Sequence, residues 1–197
     1  MNSSQTKICL IGGTFDPIHL GHTYIASQAV KQLGLDKVIF IPCRKSPHKM
    51  GKKSVSAEHR LAMCQLAVHH LPWAEVSDYD LVAPSPSFSW RTAEHFSKLY
   101  PDAEIYWLMG CDQWVSLPRW NRADHFANLV KIIVSGRDFQ APTIHGFSCL
   151  NLSDYLHPAS ATAIRLSISS GSESKWLSPA VHHYLKENRL YLKSHLD

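Results

Sequence analysis

Residues 12–22 read GGTFDPIHLGH and directly follow the apolar run ICLI. The two adjacent glycines lack Cβ atoms, so the backbone can turn tightly and an anion can approach the main-chain amides. A helix is expected to begin near Leu20, and its first amides and its dipole favour a negative charge at the same place. His19 and His22 lie on one side of that first turn, and Thr14 adds a hydroxyl. This strand–loop–helix junction predicts a site for polyphosphate.

The segment differs from two common phosphate-binding signatures. It lacks the G-x-G-x-x-G spacing of dinucleotide-binding loops and the Gly-Lys-Ser/Thr ending of a Walker loop. A plainer interpretation stays open, in which the glycines form a tight turn and both histidines lie on the surface. All eleven residues occur together directly after an expected strand, which favours the functional interpretation.

Strand and helix patterns alternate along the 197 residues. This alternation is typical of an α/β fold, and we expect a Rossmann-like, doubly wound, mainly parallel sheet of about five to six strands with helices on both faces. Ligands bind such sheets at the carboxyl ends of the strands. The length fits one domain, residues 1–197, with 1–6 as a flexible tail. We expect strands at 7–11, 37–42, 74–77, 104–109, 129–134 and 149–152, helices at 20–33, 57–71, 89–100, 160–170 and from Ser178-Pro179 onward, and a mobile polar loop at 43–56.

The composition argues against several classes of protein. With 45% hydrophobic and 18% charged residues, the chain is globular rather than disordered. A net charge of +4 suits small anionic ligands, but no dense Lys/Arg stripe or aromatic platform indicates a nucleic-acid partner. The five cysteines form no C-x-x-C pair, and no apolar run is long enough to span a bilayer. We therefore expect a cytoplasmic protein without a membrane partner or a metal held by side chains.

A second candidate anion site lies near the end of the chain, where residues 159–165 read ASATAIR. Ser160 stands at an expected helix start, and because position 163 is alanine, no Glu or Gln closes a capping box. The first amides and the hydroxyls of Ser160 and Thr162 are then available to an anion, and Arg165 follows one turn later. Taken alone, the segment fits an ordinary capped helix with an exposed arginine better.

The two segments together resemble a known family. GGTFDPIHLGH resembles the signature of the H-x-G-H nucleotidyltransferases and is most similar to the nicotinate-nucleotide adenylyltransferases. ASATAIR is similar to their I-S-S-T-x-I-R motif, which binds ATP phosphates, with Ala161 in place of a serine. The resemblance implies transfer of the adenylyl group of ATP to the 5′-phosphate of nicotinate mononucleotide, giving deamido-NAD and pyrophosphate. It also implies that Mg²⁺ bridges the ATP phosphates, held mainly by substrate and water, and it leaves a homo-oligomer possible.

The resemblance also implies the residues of the site. The catalytic set would be Thr14, His19, His22 and Arg165. ATP contacts are expected from both motifs and from a G-x-D turn after a strand: Gly12, Gly13, Thr14, Phe15, His19, His22, Gly110, Asp112, Ser160, Thr162 and Arg165. Nicotinate mononucleotide contacts are expected from Thr14, His48, Lys49, Phe88, Ser89, Trp120 and Arg137.

Several of these assignments depend on weaker matches. The segment SPHK has lost the first proline of the family's P-P-H-K loop, and a solvated basic loop is the alternative. SFS at 87–89 replaces S-Y-T, and Gly110-x-Asp112 could be a simple strand-ending turn. Trp114 competes with Trp120 as the ring that stacks on nicotinate, and Arg137 is followed by Asp-Phe rather than Pro-Gly.

Two other functions remain open at this stage. One is a related H-x-G-H transferase whose acceptor is the amide nucleotide NMN, phosphopantetheine or a cytidylyl-accepting substrate. The other is a nucleotide-binding sensor without activity, because a fold alone does not fix a reaction.

Overall fold

The described part of the chain folds around one parallel sheet. The computed structural model describes residues 5–44, 54–136, 141–152 and 157–192. Within them the strands are β1 (Lys7–Gly13), β2 (Lys37–Pro42), β3 (Ala74–Val76), β4 (Glu104–Gly110), β5 (Lys131–Ser135) and β6 (Leu150–Asn151). Their order is β3-β2-β1-β4-β5-β6, and each neighbouring pair is parallel. The expected Rossmann-like α/β fold is confirmed.

The helices connect these strands. They are α1 (Leu20–Leu33), α2 (Ala57–Val68), α3 (Tyr79–Val82), α4 (Ser89–Leu99), α5 (Cys111–Ser116), α6 (Ala123–Leu129), α7 (Ala161–Ser169) and α8 (Pro179–Glu187), with a 3-10 turn at Leu117–Arg119. Gly34 ends α1 with φ +62°, a left-handed conformation that suits glycine. Ser178 starts α8 as expected, because its hydroxyl accepts a hydrogen bond from the Val181 amide at 3.3 Å.

Some elements differ from the expectation. Helix α2 ends at Val68 rather than at residue 71, since Pro72 disfavours helical backbone in the residue before it. Strand β5 begins at Lys131 rather than at 129, because α6 continues to Leu129. Helices α3, α5 and α6 were not expected at all. They span four, six and seven residues, too few for a helical period to be recognised.

Two apolar layers cover the sheet. Alternate strand residues point to opposite faces, as the period of a β-strand requires. One face, with Cys9, Ile11, Phe40, Leu108 and Ile133, packs against α1, α2, α7 and α8. The other face packs against α4, α5 and α6 and includes Ile8, Leu10, Ile39, Trp107 and Ile132. Helices on both faces make the sheet doubly wound.

The strand order reverses between β1 and β4. In open α/β sheets the ligand crevice lies beyond the carboxyl ends of the strands at such a reversal. Strand β1 ends at Gly13 and β4 ends at Gly110. The fold therefore brings the glycine loop and the G-x-D turn to the two sides of one crevice.

Candidate active site

The glycines of the first loop are required by close packing. A Cβ on Gly12 would lie 2.9 Å from Cζ2 of Trp107, and a Cβ on Gly13 would lie 2.9 Å from Cζ of Phe15. Such contacts are shorter than real Cβ atoms show. Phe15 itself is buried and has φ +49°, so the loop folds tightly back on itself. Aromatic rings below the loop thus hold its main chain at the carboxyl end of β1.

The two histidines form a stacked pair at the start of α1. Their ring centroids are 3.7 Å apart with an interplanar angle of 23°. The main-chain amide of His19 donates to Nδ1 of His22 at 3.1 Å. Because Nδ1 accepts this bond, the ring proton of His22 lies on Nε2. His22 is therefore oriented to donate a hydrogen bond from its far edge, as contact with a phosphate requires.

His19 is held in its neutral form. Burial and, to a smaller extent, the nearby His157 together lower the pKa of His19 from 6.5 to about 4. Within the described residues its Nδ1 atom is buried without a hydrogen-bond partner. That atom lies against Gly21, where an added Cβ would come within 3.0 Å. At neutral pH His19 can offer a hydrogen bond but no positive charge.

The first amides of α1 are less available than the sequence suggested. The amide of Leu20 donates to the carbonyl of Trp176 at 2.9 Å, and the amide of His22 donates to the carbonyl of His19 at 2.9 Å. These bonds satisfy donors that a helix start otherwise leaves unpaired. An anion at this junction would therefore be contacted mainly by side chains and by the glycine loop.

The second motif meets the first across 149 positions of sequence. Nη1 of Arg165 donates to the main-chain oxygen of Asp16 at 2.6 Å and lies 3.9 Å from its carboxylate. Nη2 of the same guanidinium donates to the Thr162 hydroxyl at 3.3 Å. The structure therefore brings the two segments together, as a shared phosphate site requires.

Ser160 occupies the N-cap position of α7 but does not cap it through its side chain. Its backbone is extended, with φ −138° and ψ 127°, and its hydroxyl accepts no bond from the helix amides. The expected use of this hydroxyl by an anion is therefore compatible with the geometry.

The G-x-D turn lies across the crevice. Gly110 ends β4, and its amide donates to Oε1 of Gln113 at 3.3 Å. A Cβ on Gly110 would lie 2.7 Å from Oδ1 of Asp112, so the Asp112 carboxylate folds back over the glycine. Asp112 is otherwise exposed and can accept hydrogen bonds from a bound hydroxyl.

The two candidate tryptophans differ in burial. Trp114 is only 1% exposed, and its Nε1 donates to the carbonyl of Pro142 at 2.8 Å. Trp120 is half-buried, and its Nε1 donates to the Ser116 hydroxyl at 3.0 Å. A ring enclosed in the core cannot stack on a ligand, so Trp114 is removed as a competitor and Trp120 stays the candidate.

Phe88 and Ser89 lie at the start of α4. Both are half-buried, and Phe88 is the N-cap residue. The Arg91 guanidinium lies 5.5 Å from the Phe88 ring centroid. Three further candidates, His48, Lys49 and Arg137, lie outside the described residues, as do positions 45–53 of the expected loop.

Three residues that support this site were missed in the sequence. Asp16 and Tyr191 are buried, and the Tyr191 hydroxyl donates to Oδ1 of Asp16 at 2.7 Å. Arg60 is 2% exposed and donates to the main-chain oxygen of Thr14 at 2.8 Å. The burial of Arg60 could have been inferred from the sequence, since Arg60 falls on the same face of α2 as Cys64 and other core residues.

The structure also bears on metal and membrane binding. Among the described residues, no three His, Cys, Asp or Glu side chains are grouped so as to hold a metal ion. In the same part of the chain, no helix has the length and apolar character needed to cross a bilayer.

Known proteins resemble the chain in sequence and in structure. Residues 10–170 match the family described as cytidylyltransferase-like. A probable nicotinate-nucleotide adenylyltransferase of Methylacidiphilum infernorum is 38% identical, over 96% of this chain and 94% of its own. One of Enterococcus faecalis is 34% identical, over 95% and 86%.

A solved structure, Plasmodium falciparum nicotinic acid mononucleotide adenylyltransferase complexed with NaAD, shares the fold with a TM-score of 0.76. The two are 17% identical, and the match covers 94% of this chain and 97% of the other. The structural match thus agrees with the sequence matches, which cover nearly the whole chain. The chain belongs to the nicotinate-nucleotide adenylyltransferase family.

Proposed function

We propose that this chain transfers the adenylyl group of ATP to the 5′-phosphate of nicotinate mononucleotide, giving deamido-NAD and pyrophosphate. The observation that carries the proposal is the contact between Arg165 and the glycine loop, at 2.6 Å to the main-chain oxygen of Asp16. This contact joins two phosphate-binding motifs at the crevice of the sheet. Family membership and the names of the relatives support the same reaction.

The reaction needs no nucleophilic side chain. An oxygen of the acceptor phosphate forms a bond to the α-phosphorus of ATP, and the bond from that phosphorus to the pyrophosphate oxygen breaks. The protein has to align two polyanions and stabilise negative charge on the phosphoryl and leaving oxygens. Nε2 of His22 and the guanidinium of Arg165 supply donors for this charge. His19 adds a further ring donor, and the hydroxyls of Thr14, Ser160 and Thr162 add three more. The main chain of Gly12, Gly13 and Phe15 completes the set.

The acceptor and the ribose use the other side of the crevice in this proposal. Phe88, Ser89 and Trp120 provide half-buried groups that suit a flat pyridine ring. Asp112 accepts hydrogen bonds from the ATP ribose, and Gly110 allows close approach. By the family resemblance, the acceptor phosphate and ring also contact His48, Lys49 and Arg137.

Mg²⁺ fits this donor set only as part of the substrate. The described side chains at the glycine loop include one carboxylate, Asp16, whose oxygens already accept from Tyr191 and Val55 and lie near Arg165, so the loop does not offer a set of carboxylates to a hard cation. Mg²⁺ would therefore be bound by phosphate oxygens and water, and it would neutralise charge on the leaving pyrophosphate.

We also propose a cytoplasmic location. None of the five cysteines, all of which lie in the described part of the chain, forms a disulfide, as a reducing compartment favours. Extraction of the native protein with the cytosolic fraction, without release by detergent, would agree with this location.

An acceptor competition tests the function. The purified chain is given Mg-ATP with nicotinate mononucleotide or with NMN, and pyrophosphate and dinucleotide are both measured. We expect a higher kcat/KM for the acid and stoichiometric formation of deamido-NAD. A higher kcat/KM for NMN would overturn the acceptor, and ATP binding without pyrophosphate release for any acceptor would favour a silent sensor.

A further inference from the structure

Arg60 is a buried cation surrounded by main-chain oxygens. It projects from α2 and is 2% exposed. Its Nη1 donates to the carbonyl oxygens of Thr14 at 2.8 Å and Cys43 at 2.7 Å. Its Nε donates to the carbonyl oxygen of Val55 at 3.2 Å, and its Nη2 donates to the carbonyl oxygen of Arg44 at 3.4 Å. One guanidinium thus joins the glycine loop, the end of β2 and the segment before α2.

The same bonds continue toward the proposed acceptor side. The amide of Arg44 donates to the Ser87 hydroxyl at 3.2 Å, and that hydroxyl donates to the Asp80 carbonyl at 3.3 Å. Ser87 directly precedes Phe88 and Ser89. A continuous path of described hydrogen bonds therefore runs from Thr14 through Arg60 and Arg44 to the acceptor segment.

A buried guanidinium fixes the spacing of the oxygens around it. Each missing acceptor would leave a charged donor desolvated, which is far less favourable than loss of a neutral bond. Because the guanidinium is planar and carries five donors, it fixes the directions of these hydrogen bonds in addition to their lengths. Within the described residues the ion pairs of the chain do not include Arg60, so its position is set by main-chain atoms.

We propose that Arg60 is a positioning residue for adenylyl transfer. It holds the loop that carries Thr14 at a fixed distance from the segment that carries Phe88 and Ser89. The inference rests on the proposed function, in which these two segments bind the two reacting nucleotides. Arg60 contacts main chain rather than ligand and acts by keeping the reacting groups in line, a requirement for which small displacements are costly.

Two variants and one control test the proposal. Arg60→Lys keeps the charge but cannot reproduce the fork, and Arg60→Met removes the donors. Cys64→Ala is the matched control, because Cys64 is fully buried on the same helix and belongs to its apolar core. Rates are measured below the melting temperature of each variant and divided by the folded fraction from circular dichroism.

Activity and binding should separate. We expect kcat of Arg60→Met to fall by about 10²-fold, while its affinity for ATP alone changes less than about threefold. Arg60→Lys should lie between it and the wild type, and Cys64→Ala should keep the wild-type kcat. Combining Arg60→Lys with Ser87→Ala should give a loss smaller than the product of the two single losses, since both cut one path. The proposal would be overturned if the double variant lost the full product of the two single losses. It would also be overturned if kcat, once divided by the folded fraction, equalled that of the wild type.

Hydrogen exchange of the free protein gives an answer that does not need turnover. In Arg60→Lys, peptides covering 12–17 and 85–90 should both exchange at least about tenfold faster than in the wild type. In Cys64→Ala the increase should stay within α2 and its contacts. If the wild type makes no deamido-NAD, the proposed function fails, and this exchange pattern alone decides whether Arg60 couples the two segments. Unchanged exchange in both peptides would refute the coupling.

Discussion

The hydroxyl of Tyr191 offers a sharp test of how the glycine loop is supported. It donates to Oδ1 of Asp16 at 2.7 Å across 175 positions of sequence. Tyr191 is 3% exposed and Asp16 is 8% exposed, so water cannot replace the bond. The amide of Val55 also donates to Oδ1 of Asp16, at 3.3 Å. Tyr191→Phe removes the shorter contact and leaves the packing of the ring nearly unchanged.

The expected magnitude follows from the charge of the acceptor. A hydrogen bond to an ionised group contributes about 1.5–3 kcal/mol to stability, compared with about 1 kcal/mol for a neutral pair. We therefore expect the free energy of unfolding to fall by about 2 kcal/mol in Tyr191→Phe. For a chain of this size that corresponds to a Tm lower by about 4–8 °C.

Urea denaturation at neutral pH measures this change. Tyr184→Phe is the matched control, because the Tyr184 hydroxyl lies 2.9 Å from Nδ1 of the neighbouring His59 and is half-buried. We expect this control to lose about 1 kcal/mol. In an Asp16→Asn background, Tyr191→Phe should also cost only about 1 kcal/mol, since the acceptor is then neutral.

Two results would refute the reasoning. If the free energy of unfolding of Tyr191→Phe lies within about 0.5 kcal/mol of the wild-type value, the bond does not support the loop, because an ordinary surface substitution has an effect of that size. If the loss is as large in the Asp16→Asn background, the charge of Asp16 is not its origin.

Three further predictions concern the loop and its histidines. His22→Ala should fold and lose about 10²–10³ in kcat in steady-state assays, while the exposed His183→Ala keeps its activity; near-normal turnover would remove His22 from the reaction. Gly13→Ala should lower the free energy of unfolding by about 1–3 kcal/mol in urea, since its Cβ would meet Cζ of Phe15 at 2.9 Å. Because the pKa of His19 falls from 6.5 to about 4 on folding, the unfolded chain takes up a proton that the folded chain does not, and stability declines as pH falls through that range. His19→Asn should show a flatter decline in denaturation curves, and equal slopes would contradict the assignment.

The features that sequence predicted well are local or periodic. Strand β2 and helix α1 have the expected bounds, because the apolar pattern and the glycine that ends the helix, Gly34, can be recognised within a short stretch of sequence. The parallel sheet followed from the alternation of strand and helix. The meeting of Arg165 with the first loop followed only from resemblance, since spacing alone does not say which distant helix start faces which strand end.

The features that sequence did not predict depend on tertiary contacts. Helix α6 is set by packing of Phe126 beneath Trp107, with ring centroids 5.2 Å apart, rather than by its own seven residues. Tyr191 belongs to no motif, and its partner Asp16 could not be inferred from separation in the chain. The choice between Trp114 and Trp120 needed burial, which composition does not give.

The positive charge beside the glycine loop comes from arginine rather than histidine. Burial keeps the pKa of His19 at about 4, so this histidine is neutral at physiological pH. Arg60 and Arg165 instead hold their guanidinium groups against the main-chain oxygens of Thr14 and Asp16, at 2.8 and 2.6 Å. The Asp16 carboxylate lies 3.9 Å from Nη1 of Arg165. A fixed cation in a partly desolvated setting interacts with phosphate more strongly than one in water. The histidines then direct hydrogen bonds, Arg165 supplies positive charge beside the loop, and Arg60 holds the loop in position.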